Sequence, residues 1–151
     1  MSAEKADRGY LATVFGCYCP RCRRGKLFTH SLSIGMKKNM EMHVNCPVCG
    51  QPTDIEVGFY YGTGFVSYFL AVIISLLTLI GWWLTIGFAF HDQRFFYWIG
   101  LNALLLILLQ PWLMRFSRSL WISWFVSYDP EWRDHQPEIT DRINPDQQHN
   151  W

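Results

Sequence analysis

Cys19-Pro20-Arg21-Cys22 and Cys46-Pro47-Val48-Cys49-Gly50 are the residues of this chain whose types and spacing can do chemistry. A C-x-x-C turn sets two sulfurs on one side of an ion, and a second such turn facing it completes a tetrahedral shell. Pro20 and Pro47 stiffen the turns, while Gly25 and Gly50 suit the places where the backbone must fold back behind the sulfurs. The 23 residues between Cys22 and Cys46 are an ordinary spacing for a zinc ribbon. Cys19, Cys22, Cys46 and Cys49 are therefore the expected metal ligands. Zinc is the expected ion, and iron in a rubredoxin-like site of the same four thiolates is the alternative. Four thiolates leave no open coordination position, so the metal is expected to give shape and not to catalyse. A module of about forty residues has too little interior to fold alone, and structural zinc supplies roughly 10–16 kcal/mol of apparent binding energy at neutral pH.

The neighbouring polar residues admit fewer roles. Five cysteines are an odd count, which suits a secreted disulfide scaffold poorly. In a reducing compartment such pairs read as metal ligands. One C-x-x-C suffices for a dithiol redox pair, so two argue against that use. Cys17 is expected to be a thiol outside the ligand set, and His30 and His43 to be surface residues. Arg21, Arg23, Arg24 and Lys26 crowd the first turn. They can offset the charge of a four-thiolate centre, or they can meet an anionic partner, a lipid headgroup before an acidic protein or RNA. No Ser/His/Asp, Cys/His or paired-carboxylate set falls in a segment that could form a pocket, so neither catalysis nor a small-molecule substrate is expected. A net charge of +1 gives no general case for binding nucleic acid, which is an unlikely partner on this reading.

The elements that must position these cysteines follow from the charge layout. Residues 1–64 hold eight Lys/Arg and five Asp/Glu, residues 65–114 hold only Arg94 and Asp92, and residues 115–151 hold four and six. The expected order is a polar lead-in (1–16), the cysteine module (17–60), two apolar spans (65–90 and 95–114), an interfacial helix (115–128) and a polar tail (129–151). The first eighteen residues lack the basic start and apolar stretch of a signal peptide, so no cleaved leader is expected. Met40 to Val44 and Thr53 to Phe59 alternate enough to suggest short strands beside the second cysteine turn.

The first apolar span is long enough for roughly 39 Å of helix and the second for roughly 30 Å, against a bilayer core of about 30 Å. Two such runs joined by His91-Asp92-Gln93-Arg94 predict a tight transmembrane hairpin. Arg115 and Arg118 outweigh Arg94 at the span ends, which places the C-terminus, the N-terminus and the cysteine module in the cytosol. Leu120, Trp121, Trp124, Phe125 and Tyr128 share one side of a helical wheel, with Ser119, Ser123 and Ser127 on another, as in a helix lying at the membrane surface. The tail carries Pro130, Pro137 and Pro145 and is expected to be ordered only by a partner.

Polar groups inside the spans need partners of their own. A hairpin centred between Asp92 and Gln93 sets Gln110 level with Ser75 and Asn102 level with Trp83. Ser67, Ala71 and Ser75 make a small-residue stripe that permits close helix approach. The stripe is expected to face the second span, with Gln110 bonding near Ser75. Pro111 removes a backbone donor near the inner end of that span.

With these motifs placed, the chain resembles the bacterial membrane family known as domain of unknown function 983. The resemblance rests on Cys19-Pro20-Arg21-Cys22 with Gly25-Lys26-Leu27-Phe28, on Cys46-Pro47-Val48-Cys49-Gly50, and on Gly58-Phe59-Tyr60-Tyr61-Gly62 leading to Ser67-Tyr68. Pro111 to Trp121, with Arg115, Ser117, Arg118 and Leu120, fits the family's C-terminal pattern. It covers residues 17–128, and Cys17 has no match in it. The resemblance implies a protein of the bacterial cytoplasmic (inner) membrane with no established activity. Its genes in some bacteria lie beside those for haem–copper oxidase subunits and assembly factors.

The resulting expectation is a membrane protein in which a small β zinc ribbon precedes a two-helix transmembrane hairpin and an interfacial helix. Its partners are membrane lipid and other membrane subunits. Its expected role is that of a non-enzymatic accessory subunit or assembly factor of a larger membrane complex. A redox or metal-delivery module and a tethered RNA- or protein-binding ribbon are the alternatives.

Overall fold

Long uninterrupted apolar sequence becomes helix here because a helix satisfies its own backbone. The computed structural model describes residues 8–33, 35–56, 58–87 and 93–137. Its elements are α1 (Tyr10–Phe15), α2 (Met36–Met40), a 3-10 turn (Phe59–Gly62), α3 (Thr63–Ile86) and α4 (Arg94–Phe125). The 3-10 turn runs directly into α3, and α3 and α4 form a pair, each long and apolar enough to cross a membrane. Their apolar stretches are almost wholly unburied within the protein, whereas the core helix of a soluble protein is mostly covered. Phe65, Phe69, Leu77, Leu84, Phe96, Ile107 and Leu108 all point outward.

The hairpin is centred differently from the expectation. The α3 helix ends at Ile86, short of Phe90, with Gly87 at φ 81° as its C-cap. Arg94, the first residue of α4, donates from Nη1 to the Ile86 carbonyl at 3.0 Å. The midpoint of these ends is position 90, two and a half residues before the assumed centre. Asn102 therefore falls level with Thr78, not with Trp83. Its Oδ1 accepts from Thr78 Oγ1 at 3.0 Å, and its Nδ2 donates to Ser75 Oγ at 3.1 Å. Ser75 is thus bonded to Asn102 and not to Gln110. Gln110 borders a shallow cleft with Ser67, Ala71 and Met114. Ser67 does face α4, donating to Ser117 Oγ at 2.8 Å. His91 and Asp92 of the proposed connection lie outside the described residues.

No strand forms among the described residues, so the expected β ribbon is absent there. Met40 closes α2, Met42 makes a single bridge with Phe28, and Phe59 opens the 3-10 turn. Two more isolated bridges join Tyr18 to Lys26 and Asn45 to Pro52. A two-stranded ladder is marginal by itself, and this chain turns too often to extend one.

The head gains its support from α4 instead. The expected boundary at residue 114 does not exist: α4 runs unbroken to Phe125, with Pro111 inside it. Leu113, Arg115, Phe116, Ser117, Arg118, Ser119 and Ile122 are buried under the head, so residues 115–122 are packed against the protein on one side, while Trp124 and Phe125 beyond them are exposed. Asn39, 1% exposed, is the node of this joint. Its Nδ2 donates to the Pro111 carbonyl at 2.8 Å, and its Oδ1 accepts from the Ser33 amide at 3.2 Å. Its own carbonyl accepts from Arg115 Nε at 2.9 Å.

Both chain ends also fold back. In α1, Phe15 stacks on Trp112 and Phe116 of α4, so part of the expected lead-in is a packed helix. Beyond α4 the chain returns to the first cysteine turn, where the Asp129 amide donates to the Arg21 carbonyl at 3.2 Å. The tail is thus held by its own protein through residue 137; residues 138–151 lie outside the description.

The Asn102 contacts make a prediction. Asn102→Ala is expected to destabilise the helix pair by about 1 kcal/mol, in the range of interhelical hydrogen bonds in membranes, and Gln110→Ala by less than about 0.3 kcal/mol. Unfolding in mixed micelles by an anionic detergent measures both.

Candidate metal centre

Each cysteine turn is closed by its own backbone. In the first, the Arg23 amide donates to the Cys19 carbonyl at 2.8 Å and the Cys19 amide to the Gly25 carbonyl at 2.8 Å. In the second, the Gly50 amide donates to the Cys46 carbonyl at 2.9 Å and the Cys46 amide to the Gln51 carbonyl at 2.8 Å. The fourth residue after the leading cysteine turns left-handed in both, Arg23 at φ 53° and Gly50 at φ 71°. Glycine takes this conformation freely; an arginine costs roughly 1–2 kcal/mol there. Arg23 is held in it by its guanidinium 3.8 Å over the Tyr128 ring and by donation from Nη1 to the Arg8 carbonyl at 2.9 Å. Gly25 has a separate task. A Cβ on it would collide with Cys46 Sγ, so its bareness lets the two turns meet.

The four expected ligands come together. Cys19, Cys22, Cys46 and Cys49 place their sulfurs within 4.8 Å of one another. Cys19 Sγ lies 3.7 Å from Cys49 Sγ, and Cys22 Sγ 3.8 Å from Cys46 Sγ. A tetrahedral ion with 2.3 Å bonds to sulfur demands edges of about 3.8 Å, so these two pairs fit it. A disulfide needs about 2.05 Å, and all five cysteines are free. Cys19, Cys22 and Cys46 are buried and Cys49 half-buried, in a core with Leu27, Phe28, Met42, Phe59, Tyr60 and Ile122. This cluster can hold a metal ion.

The electrostatics of the tetrad favour unequal protonation without an ion. Hydrogen bonds from Cys19, Cys46 and Cys49 pull the Cys22 thiol well below its ordinary range. Hydrogen bonding to Cys22, Cys46 and Cys49, reinforced by burial, holds Cys19 protonated. Cys46 is drawn down to about 7, chiefly by Cys19. A cation coordinating all four must therefore displace protons.

Cys17 stands outside the tetrad. Burial pushes its thiol up to about 11, with the Arg115 charge and the Ser119 hydroxyl opposing. His30 pairs with Glu41 at 3.1 Å, and neither His30 nor His43 joins the cluster.

The four basic residues of the first turn do not act as one group. Arg21 is buried and turned onto its own chain, Nη2 donating to the His135 carbonyl at 2.8 Å and meeting Asp129 Oδ2 at 3.4 Å. Arg23 is committed to Tyr128 and Arg8. Arg24 is half-buried and Lys26 exposed.

The sequence offered Arg115 and Arg118 as topology markers and as part of the family pattern, but not as groups that reach into the head, as both do. Arg115 Nη2 donates to the Ser31 carbonyl at 2.9 Å, and Arg118 Nη1 to the Met40 carbonyl at 3.0 Å. Arg115 also lies over the Phe28 ring and Arg118 over Tyr60. Their three-residue spacing, which puts both on one helix face, was the available signal. Asn39 offered no comparable sign. Comparison with protein-family models, with curated proteins and with solved structures returns no match.

Two predictions follow from this geometry. Gly25→Ala is expected to weaken metal binding by about 10–100-fold, the scale of losing support around a ligand, whereas Cys17→Ser should stay within about twofold. Competition with a chromogenic chelator reads both. The protons on Cys19 and its neighbours must leave on loading, so affinity falls as pH drops, by about tenfold per unit for each proton released. Chelator competition between pH 6 and 8 gives that slope.

Proposed function

We propose that this protein is a non-enzymatic, membrane-anchored metal-knuckle protein that acts as an accessory subunit or assembly factor of a larger membrane complex. The observation that carries the reading is a closed four-thiolate cluster seated on a helix that continues directly from the apolar hairpin. Zinc suits such a site as a structural ion. Iron fits the same sulfur spacing and is the runner-up, for an electron-transfer module.

A surface for other subunits is at hand. Tyr61 in the 3-10 turn, Phe65 and Tyr68 at the start of α3, and Trp124 and Phe125 at the end of α4 are exposed aromatics at one end of the hairpin. Aromatics of this kind anchor at membrane interfaces and dominate contacts between proteins. The motif resemblance to domain of unknown function 983 is compatible with this role and makes a haem–copper oxidase the first complex to examine. The same reading puts head and termini in the cytosol of a bacterium. The RNA-binding alternative loses ground because Arg21 and Arg23 serve the protein's own chain.

The test is purification at native expression in mild detergent, with metal analysis and identification of co-purifying subunits. The expected outcome is one colourless zinc per chain and a stoichiometric membrane complex. Recovery as a lone monomer overturns the accessory role. A visible sulfur-to-iron absorption band replaces it with the electron-transfer reading.

A further inference from the structure

A recess of about 360 Å³ opens where α1, the segment after Lys26 and α4 meet, apart from the tetrad. That volume falls in the range of small-molecule sites. Lys26 and Arg115 are its charged lining, and among the described residues no Asp or Glu borders it. Arg115 uses Nε and Nη2 on the carbonyls of Asn39 and Ser31, which leaves the two protons of Nη1 for a further acceptor. Lys26 is exposed and has no carboxylate partner among the described residues. Glu41 contacts His30, at 3.1 Å, and does not line the recess.

The rim of the recess is apolar. Leu32 and Trp112 line it, and Phe15 stacks against Trp112 at 6.0 Å. Leu32 is 57% exposed, and Phe15, reached through Trp112, is 53% exposed, so an apolar collar borders a basic floor. Trp112 lies one helical turn before Arg115, at the end of the charge-free part of α4. With α3 and α4 across a bilayer, that level is the headgroup layer, where tryptophan collects and phosphates lie.

We propose that this recess binds the phosphate group of an anionic membrane lipid. Lys26 and Arg115 Nη1 take the phosphate oxygens, and Phe15, Leu32 and Trp112 lie along the acyl chains. Arginine and lysine are suited to this by charge-assisted donation to phosphate. Inorganic phosphate offers the same oxygens but leaves the collar unused. The inference rests on the membrane reading of α3 and α4 and does not depend on the accessory role.

The test uses the full-length, metal-loaded protein in neutral detergent. It is titrated by calorimetry with dioctanoyl phosphatidylglycerol, dioctanoyl phosphatidylcholine and inorganic phosphate. Phosphatidylglycerol is expected to bind one per chain, at least about tenfold more tightly than either other probe. Near a lipid surface each basic charge is worth about fivefold, so Lys26→Gln should weaken binding about fivefold and Lys26→Glu about 30-fold. Lys38→Glu, on exposed α2 outside the recess, should change it less than about twofold. Unchanged metal content in each variant shows that the head is intact. Equal binding of the two lipids, phosphate binding as tightly as phosphatidylglycerol, or equal losses from the Lys26 and Lys38 variants overturns the proposal. A protein that stays monodisperse in buffer without detergent overturns the membrane reading itself, which separates the two failures.

Discussion

Two cysteine turns with no strand between them among the described residues have little backbone ladder to hold them together, and an ion at their centre would draw the sulfurs inward. Here the intervening chain is tied by isolated bridges, none extended into a ladder. Buried thiolates that close repel one another, and protonated thiols make weak bonds. A divalent ion bound there would replace both with four strong bonds, and its binding energy would become folding energy. The bare backbone at Gly25 is the geometric condition for that arrangement, since any side chain there meets the Cys46 sulfur.

The tetrad fixes the head internally, and α4 fixes it to the rest of the chain. Arg115 and Arg118 bring buried cations into the head, and such charges are tolerable only when their donors are used. They find the carbonyls of Ser31, Asn39 and Met40. Asn39 and Met40 end α2, where helical carbonyls lack internal partners. One set of bonds thus serves two deficits at once, giving acceptors to the guanidinium groups and donors to the open end of α2. Because α4 does not break at residue 114, the head and the hairpin share one stiff element.

The cysteine cluster and the two long helices were legible because each is written in a local code, ligand spacing for one and uninterrupted apolar length for the other. What escaped reading depended on distant partners. Ser119 and Ser123 looked like the polar side of a surface helix. Ser119 is instead buried beneath the head, and Ser123 meets Tyr10 from the other end of the chain. Asn39 sits in a short polar stretch with no periodicity, yet it ties Pro111, Ser33 and Arg115 together. The Ser75 partner was missed for a different reason. Reflection about a loop is sound, but it needs the helix ends, and residue patterns place those only to within a few positions. The strands were misread because alternation over five residues signals an exposed face as readily as a ladder.

The two cysteine turns solve the same backbone problem unequally, and the difference shapes the molecule. Gly50 takes its left-handed conformation without strain, and the second turn presents Val48 at 43% exposure. Arg23 takes the same conformation at a cost, and its side chain then gathers Arg8 from one end of the chain and Tyr128 from the other. Arg21, in the same turn, adds Asp129 and His135. Trp132 packs against the core around the cysteines from that returning segment. The first turn is therefore covered by Arg8 and by the segment that returns after α4. An ion bound by the tetrad would hold the backbone on which those contacts hang, so its binding would be coupled to the docking of that returning segment.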